Sequence, residues 1–491
     1  MSYTSGEPHR VVRGGALAER RDFALGLPGF AYADLHDPRR LADLTLEFDR
    51  ALQAADPTLF ASFDAYRRDP KSLGPVDRSN LLIGVGRHVG RFIGMLFRIE
   101  TELAHAAEAV RAQDPIFVFK RDFLQRRAFK KYGPGRRPAE DFPSLDGRVR
   151  VLRRALFPEL EFGTDPELAT ARMVAEFLAL ESHLTAVVRL KREPAVAPGV
   201  AVRMDGIRSR VQAAASLLTA DLEPGAAGDL ALVERILSLL VDWSVARLAD
   251  PAGKEEIRSW VSYHTPEDLD YQHLVRVERP LADLPETMVG PADRRRRRDG
   301  FKLTDRRMHP REVLDQTHYC VLCHDRDKDS CSKGLPAREG GVKTNPLGIV
   351  LNGCPLDEKI SEAHALKRQG DSLSALAVIC LDNPMCPGTG HRICNDCMKA
   401  CIYQKQEPVN IPQIETGVLT DVLALPYGFE IWSLLTRWNP LNVSRPHALP
   451  YNGKNVLVVG LGPAGYTLAH HLMNEGFGVV AIDGLKIEPL P

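Results

Sequence analysis

The first 319 residues of this 491-residue chain contain no cysteine, and all nine cysteines fall between Cys320 and Cys401. A disulfide framework spread through the protein is thereby excluded, and the odd count leaves at least one thiol unpaired. Excess charge is absent too. Lys plus Arg and Asp plus Glu number 64 each, so nothing in the bulk balance pulls the chain toward nucleic acid or an anionic membrane. No run of about 18 apolar residues occurs, which excludes a simple membrane-spanning helix. The segment Met1-Ser2-Tyr3-Thr4-Ser5-Gly6-Glu7-Pro8 leads into mixed charges without an apolar core, so no signal peptide is read. A cytoplasmic location is the expectation, and there clustered cysteines serve metals more often than disulfides. Internal repeats and low-complexity tracts are also missing.

With 44% hydrophobic and 26% charged residues, the composition is that of an ordinary globular protein. Residues 1–290 read as a mainly helical domain of unknown role. Asp37-Pro38 and Asp165-Pro166 look like N-caps followed by proline in the first turn. Asp229 to Arg247 is an amphipathic helix, with Val233, Ile236, Leu237, Leu240 and Val241 on one face and Glu234, Arg235, Ser238 and Asp242 on the other. Burial in its own bundle is the simpler reading of that stripe; a partner-binding face is the other. Residues 291–305 read as a solvated linker carrying Arg294, Arg295, Arg296, Arg297 and Arg298, without the interleaved aromatics of a nucleic-acid surface.

Residues 306–450 hold the cysteines. Their spacing is Cys320-x2-Cys323-x7-Cys331, then Cys354-Pro355, Cys380-x5-Cys386-Pro387 and Cys394-x2-Cys397-x3-Cys401. A Cys-x-x-Cys pair puts two sulfurs on one tight turn, suited to two corners of a cubane or two positions on zinc. Proline after cysteine fixes the chain as it leaves the metal. Nine cysteines in 82 residues point to metal, iron–sulfur ahead of zinc. His324 and His391 are possible zinc ligands, though polar loop positions explain them more simply. The segment offers little apolar material, so it is expected to need its metal to hold together.

From residue 451 the pattern changes to a strand, Val456 to Val459, then a small-residue turn, a helix from about Ala464 to Asn474 and a second strand, Val479 to Ile482. Gly460 permits the tight turn, Gly462 lets backbone approach a pyrophosphate, and Gly465 lets helix and strand pack closely. Pro463 and Ala464 complete the turn, and Asp483 is placed to receive ribose hydroxyls. The fold class expected is therefore mainly α: a helical N-terminal region, a cysteine-bearing segment with short helices, and the opening βαβ part of a Rossmann-like nucleotide-binding domain over 451–491, which the resemblance described next makes a helical iron–sulfur domain and the start of an FAD-binding domain.

The cysteine block followed by Val-Gly-Leu-Gly-Pro-Ala-Gly resembles the small subunit of NADPH-dependent glutamate synthase and the N-terminal part of dihydropyrimidine dehydrogenase, over roughly Met308 to Pro491. The resemblance implies two [4Fe–4S] clusters with interleaved ligands. Cys320, Cys323, Cys331 and Cys401 would hold one. Cys354, Cys386 and Cys397, with Glu415 as an oxygen ligand, would hold the other. Cys380 matches a family cysteine that is not a ligand, and Cys394 has no counterpart, which leaves the choice between it and Cys397 open. The gaps Cys323 to Cys331, Cys331 to Cys354 and Cys386 to Cys397 are longer than in the family. Carried over, the function is the iron–sulfur and FAD-entry portion of an NAD(P)H-dependent oxidoreductase, relaying electrons between flavin and clusters. The NAD(P)H site would lie in regions not present, on downstream domains or a separate subunit, and the electron acceptor is unidentified. An incomplete enzyme is the expectation. The alternatives are a zinc-stabilised scaffold without redox activity and an inactive truncated fragment.

Overall fold

Aspartate followed by proline begins helix after helix. In the computed structural model the side chains of Asp37, Asp56, Asp165 and Asp250 accept backbone N–H bonds from Arg39, Leu59, Leu168 and Gly253, with Pro38, Pro57, Pro166 and Pro251 in the first turn. Each cap satisfies a donor that the helix cannot satisfy itself, and proline costs nothing where no N–H partner exists. The structure describes residues 24–133, 135–160, 162–191, 206, 209–210, 226–275, 277–291, 306–390 and 393–484. His391 and the five linker arginines lie outside them.

The molecule is mainly α. It divides into two compact units, one made of residues 1–108 and 267–491, the other of 109–266. That division differs from a boundary near residue 290. The chain leaves the first unit at about residue 108 and returns to it at about 267, so the N-terminal helices and the cysteine segment share a unit.

The first unit has one apolar core, to which Leu44, Phe48, Val85 and Phe92 contribute together with Leu366, Leu376, Val378 and Trp438. Phe48 meets Phe92 edge-on at 5.6 Å, and Phe92 lies 5.8 Å from Trp438. The Trp438 indole N–H donates to Thr45 Oγ1 at 3.1 Å, so the ring is buried without losing its hydrogen bond. Helix Pro75–Phe97 packs on helix Ser372–Asp382, and the crossing is close because Gly90 sits there. A Cβ on Gly90 would lie 2.3 Å from Ser374 Oγ. These contacts correct one expectation. The cysteine segment is not short of packing: Ile360–Arg368 and Ser372–Asp382 are buried along most of their lengths, against helices from the N-terminal region.

The second unit is a helical bundle. Helix Ala226–Ala249 packs on Pro166–Val188 and Phe142–Leu156. Val233, Ile236, Leu237, Leu240 and Val241 are all buried there, while Glu234, Arg235, Ser238 and Asp242 are not, so the amphipathic stripe is spent within its own bundle.

Near the C-terminal end, β1 (Asn455–Val459), helix Pro463–Asn474 and β2 (Gly478–Ile482) form a βαβ unit. The strands are parallel, in register from Asn455 opposite Gly478 to Val459 opposite Ile482. They are the only strands longer than an isolated bridge among the described residues. No helix among the described residues is long and apolar enough to cross a membrane.

Two outcomes are expected. Gly90→Val forces a branched side chain into the Ser374 contact and should destabilise the chain by roughly 1–3 kcal/mol. Gly147→Ala, on a helix and with open space around its Cβ position, should stabilise by up to about 1 kcal/mol. Denaturant midpoints of the two variants check this. His470 behaves differently with pH, because burial and the neighbouring His471 depress its pKa to about 4. The unfolded chain takes up this proton near pH 6.5 and the folded chain does not, so stability should fall as pH drops from about 6.5 to 4. Hydrogen exchange across 455–482 should show the loss, and His470→Gln should reduce it.

Candidate metal centre and glycine turn

Helix Pro310–Tyr319 delivers the first sulfur. Its C-cap is Cys320, whose N–H bonds Gln316 O. The next turn carries Leu322 in the left-handed region, φ 51° and ψ 68°, which swings Cys323 back toward Cys320. A bulky residue held there is strained, and such strain persists only when the surroundings fix it. Cys331 lies on the short helix Ser330–Lys333, and Cys401 follows the short helix Asp396–Lys399. These four cysteines, dispersed over 82 residues, line one small cavity of about 20 Å³, walled by Tyr403, Val409 and Ile411. Cys323, Cys331 and Cys401 are buried.

Burial of sulfur without a cation has an electrostatic cost, and the thiols record it. Desolvation, then repulsion from Asp329 and after it from Cys320, Cys401 and Cys323, pushes Cys331 well up. Cys320 rises to about 12 and Cys323 to about 11, each chiefly through desolvation. Opposing this, the N–H groups of Ile402, Tyr403 and Val409 are directed at the Cys401 sulfur, and that of Leu322 at Cys320. Arg368 adds positive charge beside Cys320 and donates to its carbonyl at 2.7 Å. Tyr403, on the cavity wall, stacks on Tyr319 at 4.3 Å, tied by the Tyr403 hydroxyl donating to Tyr319 O at 3.1 Å. Backbone donors aimed at sulfur are the usual means of stabilising thiolate ligands.

The second group gathers Cys354, Cys386, Cys397 and Glu415. Cys386 opens the helix Cys386–Thr389, with Pro387 in its first turn, and Glu415 lies on helix Ile411–Leu423. Repulsion from neighbours shows their proximity: Cys397 is pushed up by burial, then by Glu358, Cys354, Cys394 and Glu415. Burial, Glu358 and Cys386 raise Glu415 well above the carboxylate range. Asn383 orients this group. Its side-chain oxygen accepts from Thr389 Oγ1 at 2.7 Å, which turns its amide N–H toward Glu415 Oε1 at 3.1 Å. Cys380 is buried beside Cys386, and Cys394 is exposed. The two groups adjoin, for the Cys354 N–H donates to Cys331 O at 2.8 Å. Among the described residues no three His, Cys, Asp or Glu side chains converge as one metal ion would require.

Glu358 was not anticipated. It is buried amid the second group, its carboxyl raised by desolvation and by Asp382. Nothing in its loop sequence sets it apart from Asp357 beside it, and only the fold selects it. His324, considered as a zinc ligand, instead shares a 2.6 Å hydrogen bond with Ser361 Oγ.

In the glycine turn, Gly460 takes φ +96°, Gly462 caps helix Pro463–Asn474, and a Cβ on Gly465 would strike Gly460 O at 1.7 Å. These are the tight turn, the open approach and the close helix–strand packing that the three positions provide. The Asp483 carboxylate accepts the Leu461 N–H at 2.6 Å and so closes the turn onto the end of β2. The helix that follows reaches the second cysteine group: a Cβ on Gly388, two residues beyond Cys386, would lie 2.7 Å from the Tyr466 hydroxyl.

Residues 25–98 match the family model "RP005 N-terminal alpha-helical domain". Over 347 residues the chain is 23% identical to uncharacterized protein RP005 of Rickettsia prowazekii (strain Madrid E), covering 69% of this chain and 96% of that protein. Over 106 residues it is 61% identical to uncharacterized protein RP006 of the same organism, covering 22% of this chain but 15% of that protein. A third relative is the glutamate synthase [NADPH] small chain of Mycobacterium tuberculosis (strain CDC 1551 / Oshkosh), 31% identical over 149 residues, 30% of this chain and 28% of that protein. The chain thus spans a minor part of RP006 and of the glutamate synthase chain. No solved structure matches.

In the metal-free chain near pH 8, Cys394 should react first with iodoacetamide, and the raised thiols Cys320, Cys323 and Cys354 slowly, because the thiolate is the nucleophile. Peptide mass spectrometry after timed alkylation gives the order.

Proposed function

We propose that this chain is an electron-relay portion of an oxidoreductase, with two [4Fe–4S] clusters beside a flavin-binding turn. One observation supports the reading: Cys320, Cys323, Cys331 and Cys401 all line a single cavity. The donor set suits the group. Four soft sulfurs, each favouring the neutral thiol when alone, become good ligands once a cationic cluster compensates them. Cys354, Cys386, Cys397 and Glu415 make the second set, with Glu358, its carboxyl raised toward the neutral form, beside it. The partial likeness to the glutamate synthase [NADPH] small chain supports an oxidoreductase relation.

Bound clusters supply one-electron transfer, and a bound flavin would join that to two-electron chemistry. The chain's own residues set the conditions. Burial of Cys323, Cys331, Cys386 and Cys397 excludes water. Backbone N–H groups on Cys401 stabilise the more reduced, more negative state. The Cys331–Cys354 hydrogen bond gives a short protein path between the two sets, and the Gly388–Tyr466 approach brings the glycine turn near the second. Pyrophosphate would be received at the N-terminus of Pro463–Asn474, where unpaired N–H groups and the helix dipole favour anions. NAD(P)H, the electron acceptor and any partner subunit belong to the proposal through the same likeness.

Anaerobically purified protein should contain about eight iron and eight sulfide per chain. Cys331→Ala and Cys386→Ala should each reduce iron to about four, leaving the other set loaded. One or two zinc ions per chain in place of iron would overturn the reading in favour of a zinc-stabilised scaffold.

A further inference from the structure

The second unit contains a cleft of about 560 Å³ that plays no part in the metal chemistry. Its floor comes from helix Phe142–Leu156, its far wall from helix Ala226–Ala249 and Trp260, and its rim from the loop after residue 156. Four arginines line it: Arg150, Arg153, Arg154 and Arg247. The carboxylates among the lining residues are Asp146 and Glu256.

Both carboxylates are engaged. Asp146 accepts the Trp243 indole N–H at 3.0 Å and the Arg150 Nε–H at 2.6 Å, and Glu256 pairs with Arg247. Among the described residues of the cleft two positive charges remain over. Among the described residues no carboxylate pairs with Arg153 or Arg154 in the way Asp146 pairs with Arg150. Arg247 is buried, its guanidinium 4.4 Å from the Trp243 ring and 4.8 Å from that of Trp260, and its Nε and Nη1 have no hydrogen-bond partner. The Arg153 guanidinium lies 3.5 Å over the Phe162 ring. Burial and then repulsion from Arg247 depress its pKa to about 10, so the site penalises its own positive charge.

A fold does not hold like charges this close, half out of water, without an electrostatic cost. Arg150, Arg153 and Arg154 stand at i, i+3 and i+4 on one helix, which aims them at one place rather than two. Guanidinium forks match phosphate oxygens in pairs. Phe157, Phe162 and Trp260 give the remaining wall an aromatic, apolar character. A cleft of this size suits a small organic molecule.

We infer that this cleft binds a phosphate monoester carrying a flat ring, its dianionic head on the arginine cluster and its ring against the aromatic wall. The inference is independent of the electron-relay reading, since no cysteine or glycine-turn residue takes part.

Titration calorimetry on the full chain tests it, with phenyl phosphate, inorganic phosphate and phthalate as probes. Phenyl phosphate should bind saturably, about tenfold or more tightly than inorganic phosphate, and more weakly as salt rises. Phthalate, whose two charges are separated, should bind less well than phenyl phosphate. Arg154→Gln alters an exposed residue and should keep the fold while weakening phenyl phosphate about tenfold. Arg153→Lys keeps charge but loses the fork and should fall between. No saturable binding of phenyl phosphate overturns the site. Equal affinity for inorganic phosphate overturns the ring, and unchanged affinity in Arg154→Gln overturns the arginine assignment.

Discussion

The contact on which the first unit depends is the crossing of helix Pro75–Phe97 over helix Ser372–Asp382, made possible by Gly90 against Ser374. Loops that carry sulfur ligands are irregular and have few apolar side chains of their own. They stay in place only if the elements between them are anchored. Here the anchor comes from the other end of the chain. Val85, Val89 and Phe92 fill the space beside Leu376 and Val378, and Ser79 Oγ donates to Glu362 at 2.6 Å. The N-terminal helices supply the apolar floor on which the helices Ile360–Arg368 and Ser372–Asp382, between Cys354 and Cys386, are packed.

Given that floor, the electrostatics of the site follow. Several thiols and two carboxylates, Glu358 and Glu415, share a small buried volume. Each would ionise readily in water, and each is driven toward its neutral form by the loss of water and by its neighbours. Such a collection is poorly suited to a metal-free resting state and well suited to a cationic one. The arginine cleft of the second unit presents the opposite imbalance. The two sites therefore ask for ligands of opposite charge, although the chain as a whole is neutral.

Local chemistry was legible where a few adjacent residues decide it. Asp37-Pro38 and Asp165-Pro166 start helices as read, and the glycine turn sits between parallel strands that begin within one residue of the expected positions. The stripe on Ala226–Ala249 was legible because its period alone decides which face is buried. The grouping of Cys320, Cys323 and Cys331 with Cys401 could not be read from spacing; a likeness to known proteins suggested it, and all four are among the residues that line one small cavity. Glu358, Asn383 and Arg368 were not legible at all, since each acquires its role from residues far away in sequence. The partition into units was hidden for the same reason. No composition change near residue 108 signals that the chain is leaving one core, and the evident break at the arginine run falls elsewhere.

The interleaving of the sulfurs has a consequence for how the protein is made. Cys401 is the last cysteine to leave the ribosome, yet it belongs to the cavity that Cys320 begins. The first cavity cannot close until all the residues of the second group except Glu415 have been synthesised. Any supply of metal during translation would therefore meet an open, three-thiol pocket for the time taken to add the 70 residues from Ser332 to Cys401. The order in which the chain is written thus leaves the first cavity open longer than the second group, whose residues span Cys354 to Glu415.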